Sequence, residues 1–274
     1  MAGKLYVVGT PIGNLEDFSP RAERILSEVD FIAAEDTRVT LKLLNRFEIK
    51  KELVSYYEHN KDRKEDYIIG RMLSGETCAV VTDAGMPAIS DPGENLVKAA
   101  YENGIEVESV PGPVAFATAL CISGLPTGRF CFEGFLSMNR ISRMEHLAQL
   151  KDETRTMIFY EAPHKLLKTL DDMSKTFGED REIAICKELT KVHETVFRFT
   201  FDEAIKYFEE NQPRGEYVLV VRGKEKAAET YTLDDAVKIA KEYLENGQSP
   251  SFAAKNAAAV TGIKKGDIYK ELIK

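Results

Sequence analysis

Three loops rich in glycine and proline carry the residues that could bind a small ligand. They are GTPIGN (9–14), DAGMPAISDPG (83–93) and PGP (111–113), and each directly follows an apolar segment that we predict to be a strand. Glycine lets the backbone approach a ligand closely, and proline fixes the course of a loop. Because ligands of open α/β sheets bind at the carboxyl ends of strands, we expect the three loops to outline one site.

The charges beside these loops indicate what kind of ligand would fit. The sequence contains neither G-x-x-x-x-G-K-[ST] nor a G-x-G-x-x-G that opens a helix, which argues against a P-loop and against a standard dinucleotide site. The loops hold no lysine or arginine for a phosphate, whereas Asp83, Asp91 and Glu94 place carboxylates there. A ligand with a cationic centre and hydroxyl groups suits them, and S-adenosylmethionine is compatible with this chemistry.

The elements that would position these loops alternate between strands and helices. We predict strands at 5–9, 30–36, 53–57, 78–83 and 106–110, and helices at 19–29, 64–75 and 94–104. Ser19 as N-cap with Pro20 at the first helical position is a favourable helix start. Near-continuous apolar strands separated by helices indicate a largely parallel sheet covered on both faces.

A second set of elements follows the segment 111–127, which surrounds one short apolar helix with glycine and proline. We predict strands at 130–136, 156–162, 182–189, 194–201 and 216–223, with helices near 140–152 and at 163–178. The strands at 182–189 and 194–201 are spaced as a hairpin, so this sheet should be mixed. The pattern predicts two α/β domains, 1–113 and 114–224.

The last part of the chain, 225–274, should be a helical tail after a charged linker at 224–230. Gly262 and Gly266 are predicted to separate two short helices, in the manner of a small helix-turn-helix element. From Ser251 onwards, five lysines oppose two acidic residues. The tail is either a packing appendage or an RNA contact, and in the second case Lys264 and Lys265 are candidates.

Composition excludes several classes of protein. The 274 residues are 43% hydrophobic and 30% charged, which is ordinary for a globular protein and argues against disorder. The net charge of −8 argues against a protein coated with nucleic acid, although it leaves room for a local basic face. No apolar run approaches a membrane span and the N-terminus lacks a signal peptide, so we expect a cytoplasmic protein without membrane association. The four cysteines form no C-x-x-C pair and the histidines lack ligand spacing, which predicts buried reduced thiols and no metal site.

Eight motifs occur in the order of a known family: TPIGNLEDFSPRA, AAEDTR, VTDAGMPAISDPG, VPGPVAFATAL, RFCFEGFL, IFYEAPHKL, KELTK and GEYVLVV. From about residue 4 to 271 the chain resembles the ribosomal RNA small subunit methyltransferase I family, within the tetrapyrrole (precorrin) methylase superfamily. The resemblance implies S-adenosyl-L-methionine bound in a cleft between two α/β domains. It also implies 2′-O-methylation of a cytidine near the decoding centre of 16S rRNA, in free rRNA or the small ribosomal subunit, and a homodimer.

The same resemblance assigns the donor site residue by residue. The first domain should contribute three loops and the second domain the opposite wall. The assigned residues are Thr10, Pro11, Gly13, Asp83, Ala84, Gly85, Ser90, Asp91, Pro92, Pro111, Gly112, Pro113, Phe159, Tyr160 and Glu161. Each glycine or proline could instead serve only to form a turn, and Asp83 could instead cap a loop.

Methyl transfer to a ribose hydroxyl depends on positioning and on a base that removes the proton. The candidates for the catalytic site lie in AAEDTR and KELTK: Glu35, Asp36, Arg38, Lys187, Glu188 and Lys191. A lysine could serve only if burial or a neighbouring cation lowered its pKa, which the proximity of Lys187 and Lys191 in sequence allows. We expect Glu35, Asp36 and Arg38 to shape the acceptor site, and structural salt bridges are the alternative.

The chain departs from the family in one region. A lysine-rich stretch is usual soon after the GFL sequence, but here GFLSMNRISRMEHL offers only Arg140 and Arg143. With Arg129, these are the candidates for contact with RNA phosphates in the second domain. Two other functions stay open at this point: methylation of a tetrapyrrole (precorrin), and a non-catalytic ribosome-associated protein that binds RNA.

Overall fold

The structure is a computed structural model, and it describes residues 2–57, 61–225 and 231–274. The contacts among these residues divide the chain into two compact units, 1–224 and 225–274. The first unit contains two five-stranded sheets. The α/β fold predicted from the sequence is confirmed.

The first sheet is parallel throughout and has the strand order β3-β2-β4-β1-β5. Its strands are β1 (Lys4–Val8), β2 (Phe31–Ala34), β3 (Glu52–Ser55), β4 (Cys78–Val81) and β5 (Glu106–Val110). The helices of this half are α1 (Pro20–Glu28), α2 (Thr37–Arg46), α3 (Lys61–Leu73) and α4 (Glu94–Glu102). Leu5, Phe31 and Cys78 belong to one buried cluster, whereas Ile32 and Ala79 belong to another. Alternate residues thus bury both faces of the sheet, which explains the near-continuous apolar strands.

The second sheet is mixed and has the order β6-β7-β10-β8-β9. Its strands are β6 (Phe130–Phe135), β7 (Thr156–Glu161), β8 (Glu182–Lys187), β9 (Thr195–Thr200) and β10 (Tyr217–Val221). The helices are α5 (Ala115–Ser123), α6 (Arg140–Gln149), α7 (Leu166–Phe177) and α8 (Phe201–Glu210). Only β6 and β7 pair in parallel, and β8 and β9 form the predicted antiparallel hairpin.

Three helices differ from the prediction. Helix α2 was not predicted, although Asp36 caps it by accepting a hydrogen bond from the Arg38 N–H at 2.8 Å. Helix α8 was also missed, and its capping box between Thr200 and Glu203 is the sequence signal that would have located it. Helix α7 begins at Leu166 and not at Pro163, because the residues between them form a turn.

The second unit consists of three helices, α9 (Leu233–Glu245), α10 (Pro250–Thr261) and α11 (Lys265–Leu272). Its core is formed by buried alanines together with Ile268. Gly262 ends α10 in a left-handed conformation, as predicted. The prediction for Gly266 is wrong, because this residue lies inside α11. Of the predicted linker 224–230, residues 226–230 lie outside the described residues.

Three further observations concern membranes, thiols and metal ions. Within the described ranges no helix has the length and apolarity that crossing a membrane requires. All four cysteines are free; Cys78 and Cys186 are buried, but Cys121 is exposed, so the prediction of burial is wrong for that thiol. The described residues also contain no group of three acidic, histidine or cysteine side chains that could hold a metal ion.

Candidate active site

A cavity of about 440 Å³ lies where the carboxyl edge of the first sheet meets the second half of the same unit. The first half contributes Ile12, Glu35, residues 82–86, Ile89 and Asp91. The second half contributes residues 114–116, Phe135, residues 160–163, Cys186, Leu189 and residues 216–218. Its volume is in the range typical of cavities that bind small molecules.

The first loop and the DAGMP loop are joined by their backbones. Thr10 and Gly85 exchange two hydrogen bonds, with N–O distances of 2.9 and 3.1 Å. The Thr10 hydroxyl is buried and donates to the Thr82 carbonyl oxygen at 3.1 Å. Thr10 therefore supports the cavity from behind, and it is Ile12 that extends into the lining.

Close backbone contacts explain two of the predicted glycines. A Cβ atom placed on Gly112 would lie 2.8 Å from the Cα of Gly9, so these loops pack at a distance that only glycine allows. A Cβ on Gly13 would lie 2.6 Å from the Cγ of Lys191 and 2.8 Å from the Oγ1 of Thr190. Gly13 thus lets the first loop approach the KELTK segment. Both glycines shape the cavity and neither lines it.

Glu35, Asp83 and Asp91 form a carboxylate wall on one side of the cavity. Burial, together with repulsion from Glu35 and Asp83, raises the pKa of Asp91 to about 6. The pKa of Asp83 is also raised, by partial desolvation and by the charge of Glu35. The wall is therefore under electrostatic repulsion, which a cationic ligand would relieve.

The strand register explains why Glu35 belongs to this wall. Strand β2 pairs with β4 so that Ala34 lies opposite Val81, and Glu35 and Thr82 are the next residues. The Thr82 hydroxyl donates to Oε2 of Glu35 at 2.5 Å, and the Asp83 N–H donates to the same oxygen at 3.4 Å. In return, the Asp36 N–H donates to Asp83 at 3.2 Å.

Asp36 does not line this cavity, although it follows Glu35 in sequence. The Arg38 side chain donates three hydrogen bonds to Oδ1 and Oδ2 of Asp36, and these with the backbone bond lower the pKa of Asp36 to about 2. Asp36 and Arg38 therefore form an ion pair at the start of α2.

The KELTK segment forms a turn held by ion pairs. Lys191 lies 3.0 Å from Glu188 and 2.8 Å from Glu216. Partial burial works against the charged lysine, but the two carboxylates outweigh it, and the pKa of Lys191 is raised. The condition under which this lysine could act as the base, a lowered pKa, is therefore not met at Lys191. Partial burial likewise opposes the charge of Glu188, yet its hydrogen bonds from Lys191 and the Glu216 N–H leave its pKa lowered. Of this segment only Leu189 lines the cavity. Lys187, two residues earlier, is half-buried.

Aromatic rings form the opposite wall. Phe116, Phe135 and Tyr160 line the cavity, and the ring centroids of Phe135 and Tyr160 are 5.4 Å apart. The Tyr160 hydroxyl accepts a hydrogen bond from the Phe116 N–H at 3.2 Å. This contact joins β7 to the start of α5.

The prediction for Phe159 is wrong. This ring is fully buried and packs in the core on the other face of the second sheet, because successive residues of a strand point to opposite faces. Glu161 reaches the cavity edge but is itself buried. It accepts hydrogen bonds from the Thr169 hydroxyl at 2.5 Å and the Ala162 N–H at 2.8 Å.

The predicted donor residues therefore divide into two groups. Those that line the cavity are Asp83, Ala84, Gly85, Asp91, Tyr160 and Glu161. Those outside its lining are Thr10, Pro11, Gly13, Ser90, Pro92, Pro111, Gly112, Pro113 and Phe159. Lining residues that sequence reasoning missed include Ile12, Thr82, Met86, Ile89, Val114, Ala115, Phe116, Phe135 and Leu189. Most of the missed residues are apolar and directly follow or lie within the predicted loops, where no charge or glycine marks them.

A second cavity, of about 560 Å³, adjoins the first. It is lined by Glu35, Tyr57, Ala88, Ser90, Asp91, Pro92 and Glu94. Glu35 and Asp91 line both cavities, so they form the boundary between them. Ser90 and Pro92, predicted for the donor site, belong to this second cavity.

The basic residues predicted to contact RNA differ in their accessibility. Arg143 is buried, and its Nε donates to Asp172 at 2.8 Å while Nη1 donates to the Ser137 carbonyl oxygen at 3.0 Å. It therefore braces the loop before α6 and is not available to a phosphate, contrary to the prediction. Arg129 and Arg140 are exposed. In the second unit, Lys264 and Lys265 are exposed at the start of α11.

The first cavity combines an acidic wall with an aromatic wall. None of the described residues that line it is lysine, arginine or histidine. A ligand with a cationic centre, an aromatic ring and hydroxyl groups matches this set of donors and acceptors, since the carboxylates favour the cation and accept from hydroxyls. A phosphate would be repelled.

The sequence matches the family model described as Tetrapyrrole (Corrin/Porphyrin) Methylases over residues 4–205. Several relatives named ribosomal RNA small subunit methyltransferase I are similar over most of their length. The protein of Halalkalibacterium halodurans is 46% identical, covering 97% of this chain and 93% of the relative. The protein of Thermotoga maritima is 49% identical, covering 81% of this chain and 100% of the relative. That of Escherichia coli O157:H7 is 41% identical, covering 98% of this chain and 94% of the relative.

Solved structures with the same fold are more distant in sequence. The uroporphyrin-III-C-methyltransferase of Thermus thermophilus has a TM-score of 0.57 and 22% identity, covering 80% of this chain and 94% of that structure. Cobalt precorrin-4 methyltransferase, a cobalamin biosynthetic enzyme, has a TM-score of 0.60 and 18% identity over the same shares. These likenesses show the fold.

Proposed function

This chain belongs to the tetrapyrrole methylase family and, within it, to the ribosomal RNA small subunit methyltransferase I group; from this premise we propose that it transfers a methyl group from S-adenosylmethionine to small-subunit ribosomal RNA. The acceptor in this proposal is the 2′-hydroxyl of a cytidine near the decoding centre of 16S rRNA. The near-full-length similarity to relatives of that name is the observation that carries the proposal.

The donor fits the first cavity. Asp83 and Asp91 would lie near its cationic groups and ribose hydroxyls, and the rings of Phe116, Phe135 and Tyr160 would contact its adenine. In this proposal residues 1–113 and 114–224 are the two domains that hold it. When bound, S-adenosylmethionine supplies an electrophilic methyl group, whose transfer to a hydroxyl oxygen leaves a neutral thioether and releases one proton.

Among the candidates for the base that takes this proton, Glu35 is supported best. It lines the cavity, whereas Asp36 is held by Arg38 and Glu188 is paired with Lys191. A base must be within hydrogen-bond reach of the hydroxyl and largely ionised at the working pH. Asp36 and Arg38 would then shape the entrance on the acceptor side, and Lys187, Glu188 and Lys191 would support the cavity wall.

Contact with RNA would involve the exposed basic residues. Arg129 and Arg140 in the first unit and Lys264 and Lys265 in the second are accessible to phosphates, whose neutralisation supplies most of the salt-dependent affinity. We further propose that the protein works in the cytoplasm as a homodimer. The overall negative charge makes a localised basic contact necessary for an RNA substrate.

The proposal is tested by offering labelled donor to three acceptors: isolated small ribosomal subunits, bare 16S rRNA and a precorrin. We expect label in rRNA from the first or second sample, and digestion should recover it as 2′-O-methylcytidine. Label in the precorrin alone would identify a tetrapyrrole methyltransferase. Calorimetric titration with the donor is run in parallel, and a protein that binds rRNA but does not bind the donor would be a non-catalytic RNA-binding protein.

A further inference from the structure

The carboxylate of Glu35 is held asymmetrically. Its Oε2 accepts the Thr82 hydroxyl at 2.5 Å and the Asp83 N–H at 3.4 Å. Among the residues that the structure describes, Oε1 has no hydrogen-bond partner. One oxygen is therefore anchored while the other is left to accept a proton or a hydrogen bond from a ligand.

Thr82 is more deeply buried than the carboxylate that it contacts. It is 2% exposed, and its carbonyl oxygen accepts the hydroxyl of Thr10, which is equally buried. The backbone of Thr10 is in turn bonded to Gly85 in both directions. These bonds hold the backbone from which the Thr82 side chain projects, and burial leaves its hydroxyl few partners other than Glu35. The Thr82 hydroxyl thus fixes where the Glu35 carboxylate lies.

The Glu35 carboxylate lies at the boundary between the two cavities. Glu35 lines the first cavity with the aromatic wall, and it lines the second cavity with Tyr57 and Ser90. Both cavities lie at the carboxyl edge of the first sheet, where Glu35 directly follows β2 and Thr82 directly follows β4. A donor in the first cavity and an acceptor nucleotide in the second would meet at this carboxylate.

We propose that Thr82 is a positioning residue for methyl transfer: its hydroxyl holds Glu35 at this boundary and leaves Oε1 to receive the proton of an acceptor hydroxyl that enters through the second cavity. The proposal rests on the function proposed above. In the step, the acceptor oxygen bonds to the methyl carbon, the carbon–sulfur bond breaks with its electron pair retained by sulfur, and the hydroxyl proton passes to Glu35 and then to solvent. No other reactant is needed.

Thr82→Val removes the hydroxyl but keeps the shape of the side chain and the backbone contact with Thr10, whereas Thr82→Ser keeps the hydroxyl. Loss of this hydrogen bond should change the surroundings of the Glu35 carboxyl group and therefore its carbon-13 chemical shift. The signal is recorded by carbon-13 NMR of full-length protein labelled at glutamate side chains, with Glu35→Gln to assign it. We expect a changed chemical shift in Thr82→Val and the parent chemical shift in Thr82→Ser; the same chemical shift in all three proteins would overturn the proposal.

Kinetics on small subunits provide the second readout. We expect Thr82→Val to lower kcat by about tenfold or more, with Thr82→Ser close to the parent protein. The loss in kcat should exceed any loss in donor affinity measured by calorimetry, because the side chain lines the donor cavity but its hydroxyl is directed to Glu35. A loss of donor affinity with unchanged kcat would contradict the positioning role. If the parent protein methylates no rRNA, the proposed function fails, while the NMR comparison of the three proteins still decides the link between Thr82 and Glu35.

Discussion

The Arg38 guanidinium binds both carboxylate oxygens of Asp36, with Nε 3.0 Å from Oδ1 and Nη2 2.6 Å from Oδ2. Asp36 is also the N-cap of α2. Its neighbour Glu35 has no such cation and faces the cavity. Two adjacent carboxylates of one motif therefore have different surroundings, and of the two it is Glu35 that lines the cavity.

The same carboxylate-to-amide change should affect these neighbours differently. Glu35→Gln should lower kcat by about a hundredfold or more, because general bases contribute on that scale. Asp36→Asn should stay within about threefold of the parent, since its pKa of about 2 already marks a weak base and asparagine remains a good N-cap. Steady-state methylation assays on small subunits measure both. Equal losses in the two variants would contradict the assignment.

Donor binding should depend on pH through Asp91, whose pKa is raised to about 6 by burial and by Glu35 and Asp83. A cationic donor favours the ionised carboxylate, so affinity should fall as the pH drops through this value, by about tenfold between pH 7 and pH 5. Calorimetry over this range measures the slope. Asp91→Asn should bind the donor weakly at every pH, and its donor affinity should change little between pH 7 and pH 5. If the affinity of this variant still falls with pH, the effect belongs to another group.

The same substitution should stabilise the fold. A carboxyl group whose pKa is raised in the folded state contributes stability below its unfolded pKa and loses that contribution as the pH rises through about 6. At pH 7.5 the ionised Asp91 is therefore unfavourable for folding, and Asp91→Asn should have a higher Tm than the parent. Differential scanning calorimetry at pH 7.5 checks the sign, and a lower Tm would contradict it.

Gly112 should be intolerant of any side chain. A Cβ at this position meets the backbone of Gly9 at 2.8 Å, so the two loops must separate. Gly112→Ala should destabilise the protein by about 1–3 kcal/mol and weaken donor binding. Gly70→Ala is the matched control: this exposed glycine of α3 has no atom within 4 Å of the added Cβ, and the change should stabilise by about 0.5–1 kcal/mol. Urea unfolding and calorimetry measure the two effects.

Arg143 and Arg140 are close in sequence, but their substitution should affect different properties: protein stability for Arg143 and rRNA binding for Arg140. Arg143→Met removes the close ion pair of the buried Asp172 and leaves it the more distant Arg140, whose Nε is 3.9 Å away, so the change should cost about 3–5 kcal/mol of stability. Adding Asp172→Leu should recover much of this loss. Arg140→Ala should leave stability within about 0.5 kcal/mol but weaken rRNA binding and flatten its salt dependence. If Arg143→Met kept its stability but lost the salt dependence of rRNA binding, the structural role of the Arg143–Asp172 pair would be contradicted.

The outline of the fold could be predicted from the sequence because the inner strands β2, β4 and β10 are buried throughout and the strands are separated by amphipathic helices. The hairpin of β8 and β9 and the N-cap of α1 followed from local patterns. Helix α2 could not be recognised in the same way, since its first residues carry the motif that had been assigned to the site. The burial of Arg143 depends on Asp172 in another helix, and no local pattern connects the two.

The candidate site was predictable where charge or glycine marks it, as at Asp83, Gly85 and Asp91. Its apolar lining was not, because Ile12 and Phe116 resemble ordinary core residues in the sequence. The error at Phe159 has a simple cause, because a shift of one residue along β7 exchanges the cavity face for the core face. Thr82 was missed because its role depends on the register between two strands.

The most direct test of the proposed function is the nucleoside content of 16S rRNA from cells that lack this gene. Mass spectrometry of digested 16S rRNA should show loss of 2′-O-methylcytidine, restored by a plasmid that expresses the parent protein and not by one that expresses Glu35→Gln. A nucleoside profile identical to that of the parent strain, with 2′-O-methylcytidine retained, would contradict the proposal that this protein methylates a cytidine ribose in small-subunit rRNA.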